Sequence, residues 1–323
     1  MKPSRKVLAL AARSVMTRKQ IREVAVETPC LQSRRDKPAI AGLYFKCENF
    51  QKTGSFKIRG ALSRLSAVPA GEPVITASSG NHGIACSYAA STTGHKLTVV
   101  LPEAVDKAKL NQIQSYGTET ILHPGDSGLA ERHARSLAEK TGKLYISPYN
   151  DELVMAGQGT IALELLEQLP QINNIFISLG GGGLVSGTGA VLKAYSPETK
   201  IIGVSAINSG ALAASLTAGR IIDTEHLETL ADGCAGGIDH NALTFPIAAE
   251  VIDRVVHCSE TQIADAVHHL AWKERLIVEG AAALAMAGYL AEAECYEGKC
   301  NVVLLCGSNF DTEVIRPILL RDE

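Results

Sequence analysis

Apolar runs of four or five residues recur along the chain, separated by longer stretches in which apolar positions return every three or four residues. The short runs predict strands at Leu43–Cys47, Val74–Ala77, Leu97–Leu101, Thr120–His123, Ile175–Ser178, Ile201–Val204 and Val302–Leu305. The longer stretches predict helices at Ile58–Leu65, His82–Ser91, Lys107–Tyr116, Gly128–Glu139, Val154–Leu169 and Ile263–Trp272. A strand–helix rhythm of this kind predicts an α/β chain whose parallel strands are covered on both faces by helices. The segment from Ser79 to about Pro148 carries its own alternation, which predicts a small domain, 79–148, set into a larger one made of 1–78 and 149–323. No repeat, low-complexity tract or Pro-rich linker separates the two, so a ligand belongs in the cleft between them, where strands end and connections part.

Composition narrows the class. The chain has 323 residues, 46% of them hydrophobic, which is enough for one large core or two cores sharing a cleft. A net charge of -3 gives no electrostatic footprint for nucleic acid or an anionic membrane, so small-molecule chemistry is favoured. No stretch reaches the roughly 18–20 unbroken apolar residues of a membrane span. The basic N-terminus, Met1 to Gln20, has an apolar patch at Val7–Ala12 that is short for a secretory core, and it reads as a first helix. Eight cysteines without a Cys-x-x-Cys pair, several inside apolar runs, read as reduced thiols of a cytoplasmic protein.

The chemistry concentrates at turns. Gly180-Gly181-Gly182-Gly183 follows the run Ile175–Leu179 and precedes a helix-like stretch. Glycine loses the most backbone entropy on folding, so four in a row imply that main-chain N–H groups approach something closely, phosphate above all. A flexible linker is the alternative, but strand and helix signals press on both sides of the run. The spacing is not Gly-x-Gly-x-x-Gly, and no Lys-Ser/Thr pair follows, so dinucleotide and nucleoside-triphosphate readings are weak. Three further turns, Gly54-Ser55-Phe56-Lys57, Ser78-Ser79-Gly80-Asn81-His82-Gly83 and Cys306-Gly307-Ser308-Asn309, each meet a helix start. A lysine beside a phosphate-binding terminus, with a Ser/Gly/Asn turn that can receive a carboxylate, suits an amino acid held as a Schiff base on pyridoxal phosphate.

As whole motifs these segments resemble the fold-type II pyridoxal-phosphate enzymes, specifically the serine/threonine dehydratase and serine racemase family. The resemblance runs from Thr28-Pro29 to Asp311. Its strongest piece is Lys46–Ala61, which includes Gly54-Ser55-Phe56-Lys57, and Ala156–Glu164 is a second. It implies a tryptophan synthase β-like architecture, two open α/β domains with the cofactor in the cleft, and a homodimer. It further implies that Lys57 binds pyridoxal 5'-phosphate, with Phe56 beside it, and that Gly180, Gly181, Gly182 and Gly183 hold the phosphate. Asn81 would bond the ring hydroxyl, Cys306 would stand beside the pyridine nitrogen, and Ser78, Ser79, Gly80, Asn81 and His82 would receive the substrate carboxylate. Cys306 also reads as a buried core thiol, and His82 as a support for its turn.

Departures sharpen the reading. Val204–Ala211 lacks the Glu and Asp that many relatives use for a divalent cation, so no metal site is expected there. Gly125–Leu129 lacks the arginine that serine racemases tend to carry in the loop over the substrate. Ser79, however, stands where racemases place an acid/base opposite the lysine; it is either a second catalytic group or only a carboxylate donor. The resulting expectation is dehydration and deamination of a small β-hydroxy amino acid, threonine, serine or a close relative, to a 2-oxo acid and ammonia, with serine racemisation as the alternative. No regulatory domain is expected after Glu323.

Overall fold

The computed structural model describes residues 2–36, 41–105 and 107–321. Along the chain, α1 (Arg5–Ile21) leads to the antiparallel pair β1 (Cys30–Gln32) and β2 (Gly42–Cys47), then α2 (Lys57–Leu65). An alternation follows: β3 (Val74–Ala77), α3 (Asn81–Thr93), β4 (Leu97–Pro102), α4 (Lys107–Ser115), β5 (Glu119–His123), α5 (Ser127–Thr141) and β6 (Leu144–Tyr145). The second half runs α6 (Glu152–Gln168), β7 (Asn174–Ser178), α7 (Gly183–Tyr195), β8 (Lys200–Ala206) and α8 (Ala211–Ala218). It ends with α9 (Thr244–Val251), β9 (Arg254–Cys258), α10 (Glu260–His269), α11 (Gly280–Leu290), β10 (Cys300–Leu305) and α12 (Thr312–Leu319).

Two sheets result. The larger has the order β1-β2-β10-β7-β8-β9 and is parallel apart from the β1–β2 pair. The smaller, β5-β4-β3-β6, is parallel throughout. Strands of the interior, such as Val302–Leu305 and Val74–Ala77, are buried on both faces, which explains their continuous apolar sequence. Strand order reverses between β10 and β7 in one sheet and between β3 and β6 in the other. The carboxyl ends at these reversals carry Cys306, Gly180 and Ser78, so both switch points supply site segments.

The expected boundary after residue 78 places Val74–Ala77 with the larger domain, whereas β3 is hydrogen-bonded between β4 and β6 inside the smaller sheet. A four-residue apolar run carries no mark of which sheet will pair with it; only long-range pairing decides. We therefore propose that the smaller lobe starts before Val74. The lysine-bearing α2 also packs toward that lobe, because Ile58, Ala61, Leu62 and Leu65 share a core with Ile84, Val99 and Ile146.

Helix α6 is the seat on which the two site-bearing helices rest. A Cβ at Gly157 would run into the Arg59 carbonyl of α2, and one at Gly187 of α7 would run into the Met155 carbonyl of α6. The Ala156–Glu164 motif is thus a packing surface that brings three backbones together. Lys46, Glu48, Arg59 and Glu164 lock the same junction as a buried ionic quartet. The helix expected over Ile263–Trp272 appears as α10, opened by a Ser259/Gln262 capping box and extended by one π-helical turn, Leu270–Glu274. Among the described residues no helix is long and apolar enough to cross a membrane.

Candidate active site

Lys57 opens α2 directly after the Gly54–Phe56 turn, and the end of β10 determines where that turn lies. The Phe56 N–H donates to the Cys306 carbonyl at 3.0 Å, the Ser308 N–H donates to the Gly54 carbonyl at 2.8 Å, and Ser55 bridges Gly307. Gly54 has φ +72°, and a Cβ there would run into the Asn309 side chain, so the turn requires glycine on both counts. Lys57 Nζ donates to the Pro148 carbonyl at 2.8 Å and lies 5.3 Å from the centre of the Phe56 ring. Burial lowers the Lys57 pKa from the ordinary lysine value. An amine held this way spends more time neutral, as a nucleophile or base must.

The glycine run forms a cradle at the start of α7. Gly182 adopts φ +87°, and no side chain caps the helix, whose first-turn N–H groups are without intrahelical partners by construction. A Cβ at Gly180 would lie 3.1 Å from the Cys234 backbone, one at Gly181 2.5 Å from the Tyr149 ring, and one at Gly183 3.0 Å from the Tyr149 backbone. Tyr149 is itself held, its hydroxyl accepting the Asp239 N–H at 2.8 Å, while the Thr244 hydroxyl donates to the Gly181 carbonyl at 2.8 Å. Tyr149 follows Pro148, so the cradle and Lys57 share one short segment. An uncapped helix start built of glycines, whose backbone N–H groups no side chain of its own covers, fits a phosphate group.

The Gly181→Ala protein is expected to bind pyridoxal phosphate about 10- to 100-fold more weakly, because a tethered aromatic ring must move to admit the methyl group. Fluorescence titration of the cofactor-free protein measures the loss. Unchanged affinity would mean that the cradle is not the phosphate site.

A second uncapped start lies at α3. Gly80 is its N-cap without a side-chain bond, and the Gly80 N–H donates to Ser78 Oγ at 3.2 Å. Gly83 is obligatory, since a Cβ there would run into the Ser78 carbonyl. Ser78, Ser79, Gly80 and Asn81 are partly exposed, whereas His82 is buried. Its Nε2 faces the Ile146 carbonyl at 3.3 Å and Cys86 Sγ at 3.5 Å, and burial lowers its pKa to about 3. The neutral ring is a foundation of the turn, packed beneath the start of α3.

Cys306 is buried, and burial, reinforced by Glu279, raises its thiol pKa well above the ordinary value. It offers a neutral thiol. Sequence reasoning missed Glu279, whose carboxylate accepts from Asn81 Nδ2 at 2.8 Å and from the Asn309 N–H at 2.9 Å. One signal could have found it: a lone acid separated only by Gly280 from the wholly apolar stretch Ala281–Ala287. Tyr149, the ring that walls the cradle, was likewise missed. In the stretch lacking cation-binding carboxylates, Ser209 Oγ is taken up by His226 Nδ1 at 2.9 Å and the Gly236 N–H at 3.1 Å.

A family model described as pyridoxal-phosphate dependent enzyme matches residues 21–307. An L-threonine ammonia-lyase of Geobacter sulfurreducens is 38% identical over 285 residues, covering 86% of this chain and 70% of that protein. The processed form of threonine deaminase isoform 2 from Solanum lycopersicum superposes with a TM-score of 0.91 at 30% identity, covering 98% of this chain and 93% of that one. A maize serine racemase superposes with a TM-score of 0.88, also at 30% identity, covering 95% of each chain.

Proposed function

The chain belongs to the family of pyridoxal-phosphate dependent enzymes, and from that premise we propose that it deaminates a small β-hydroxy amino acid, L-threonine or L-serine or a close relative: the β-hydroxyl leaves as water, and a water is taken up again when the resulting enamine, as its imine, is hydrolysed to a 2-oxo acid and ammonia. The observation that carries this reading is a half-buried lysine of lowered pKa close to two uncapped helix starts, one for phosphate and one for a carboxylate. When bound, the cofactor supplies the electron sink that makes the substrate Cα proton acidic.

The chain's own residues supply the rest. Gly180–Gly183 would hold the phosphate through backbone N–H groups, and Lys57 would hold the cofactor covalently. Ser78, Ser79 and the N–H groups that open α3 receive the substrate carboxylate, favoured by the positive end of that helix. Freed when the substrate amine takes its place, Lys57 would accept the Cα proton, and its lowered pKa favours the neutral amine that this requires. Cys306 would stand beside the ring nitrogen as a neutral thiol, leaving the cofactor a weaker electron sink, a setting that favours loss of the β-hydroxyl. Incubating protein and cofactor with L- and D-hydroxy amino acids, and measuring 2-oxo acid and enantiomer together, tests the assignment. Racemisation faster than 2-oxo acid release would overturn it.

Serine racemisation is the second reading, favoured by one observation: Ser79 is partly exposed at the α3 start and accepts no capping N–H there. The Ser79→Ala protein separates the two. As a dehydratase it is expected to retain 2-oxo acid formation at saturating substrate, with KM raised about two- to tenfold for one lost carboxylate donor, while any racemisation collapses. Loss of both activities together would assign Ser79 to the dehydration itself. We also propose a cytoplasmic homodimer; the eight free thiols support a reducing compartment.

A further inference from the structure

Glu279 takes no part in the steps above, yet it is 3% exposed at the head of α11, among the groups that surround Lys57. Its two oxygens have separate duties. Oε1 accepts from Asn81 Nδ2 at 2.8 Å, and Oε2 accepts from the Asn309 N–H at 2.9 Å. Asn309 Nδ2 in turn donates to Asn81 Oδ1 at 2.6 Å and to the Thr53 carbonyl at 2.8 Å. The Asn81 amide is therefore read from both ends: an acceptor-only carboxylate takes its NH2 group, and an anchored donor takes its oxygen. Space for the carboxyl is built in, since a Cβ at Gly307 would lie 2.6 Å from Oε1.

We propose that Glu279 is a positioning residue, whose carboxylate sets the orientation of the Asn81 amide so that Asn81 presents its remaining N–H, and not its carbonyl oxygen, to the ring oxygen of bound cofactor. This rests on the reading that Asn81 touches the cofactor ring. The neutral acid has one strong acceptor for two N–H donors, so protonation loosens the arrangement. Burial, with Asp232 adding to it, raises the Glu279 pKa to about 7. The groups facing it are Asp232 and Cys234 from the 3-10 turn before α9, Lys57 from α2, Lys109 from α4, and Cys306 after β10. The constraint thus switches on as pH rises through neutrality.

Two measurements test the proposal. In cofactor-free protein, the Asn81 side-chain amide resonances, assigned through Asn81→Asp, are expected to titrate near pH 7 and to stop titrating in Glu279→Gln. In the holoenzyme, Glu279→Gln is expected to match wild type below pH 6 and to fall about tenfold in kcat/KM at pH 8, the scale of one lost hydrogen bond. A wild-type Asn81 amide that does not move between pH 6 and 8, or a Glu279→Gln profile identical to wild type, would overturn it. The wild-type resonances keep the test open should the variant fold poorly. A cofactor attached to a lysine other than Lys57 would remove the functional reading while leaving the cofactor-free titration standing, so the two failures are distinguishable.

Discussion

The Lys57→Ala protein is expected to lose turnover by about 10³-fold or more and to lose covalent attachment of the cofactor. Among the described residues no other lysine shares its setting. Lys57 stands at the head of a helix, its turn is tied to the end of β10 by backbone hydrogen bonds, and its half-buried side chain sets the amine against the Pro148 carbonyl and near the Phe56 ring. Lys46 is fully buried but is consumed by Glu164 at 2.6 Å, the Thr28 carbonyl at 2.7 Å and Gln168 at 3.0 Å, which leaves its ammonium no freedom to react. Borohydride reduction of the holoenzyme followed by peptide mapping should place the pyridoxyl label on the Lys57 peptide. A label elsewhere, or a fully active alanine variant, would dismantle the assignment.

The Arg59→Met protein is expected to lose about 3–5 kcal/mol of stability, the cost of leaving buried carboxylates without their cation. Arg59 is 1% exposed and binds Glu48 through Nε and Nη2 at 2.8 Å each, and Glu164 through Nη1 and Nη2 at 2.6 and 2.8 Å. Removing its charge leaves Lys46 alone to balance two buried acids. Burial acts to raise the Glu48 pKa, but the Arg59 guanidinium outweighs it and the net shift is downward. A depressed carboxyl stabilises the fold above its unfolded pKa, and that contribution disappears as pH falls through the folded value. In Arg59→Met the depression is lost, so the variant gains less than wild type as pH rises out of the acid range. Denaturant unfolding of the cofactor-free protein measures the difference, and adding Glu48→Leu should restore most of it, because Lys46 and Glu164 then remain as a balanced pair. A single variant within about 1 kcal/mol of wild type would mean that solvent reaches the quartet.

Legibility in the sequence followed local physics. The strand at Ile175–Ser178 and the cradle at Gly180–Gly183 were readable because a short apolar run, a costly glycine cluster and a helix start are all local features. Helix α11 escaped notice because Gly280–Gly288 is buried on every side and so has no amphipathic period to detect. Strand β9, Arg254–Cys258, escaped for the opposite reason: as an edge strand it mixes exposed and buried positions over only five residues.

What the chain determined by itself is the chemistry at each turn: a lysine after a small-residue bend, a glycine run that only backbone can line, a Ser/Gly/Asn helix start and a thiol at the end of an apolar strand. Each rests on backbone conformation or on the absence of a side chain, and both are properties of a few consecutive residues. Only the tertiary structure decided that Val74–Ala77 pairs in the smaller sheet, that Gly157 and Gly187 bring α2 and α7 against α6, and that Glu279, 198 positions from Asn81, takes its amide hydrogen. Sheet pairing, helix docking and a buried carboxyl's pKa depend on partners distant in sequence, and a partner's identity has no local signature until the fold brings it within hydrogen-bond reach.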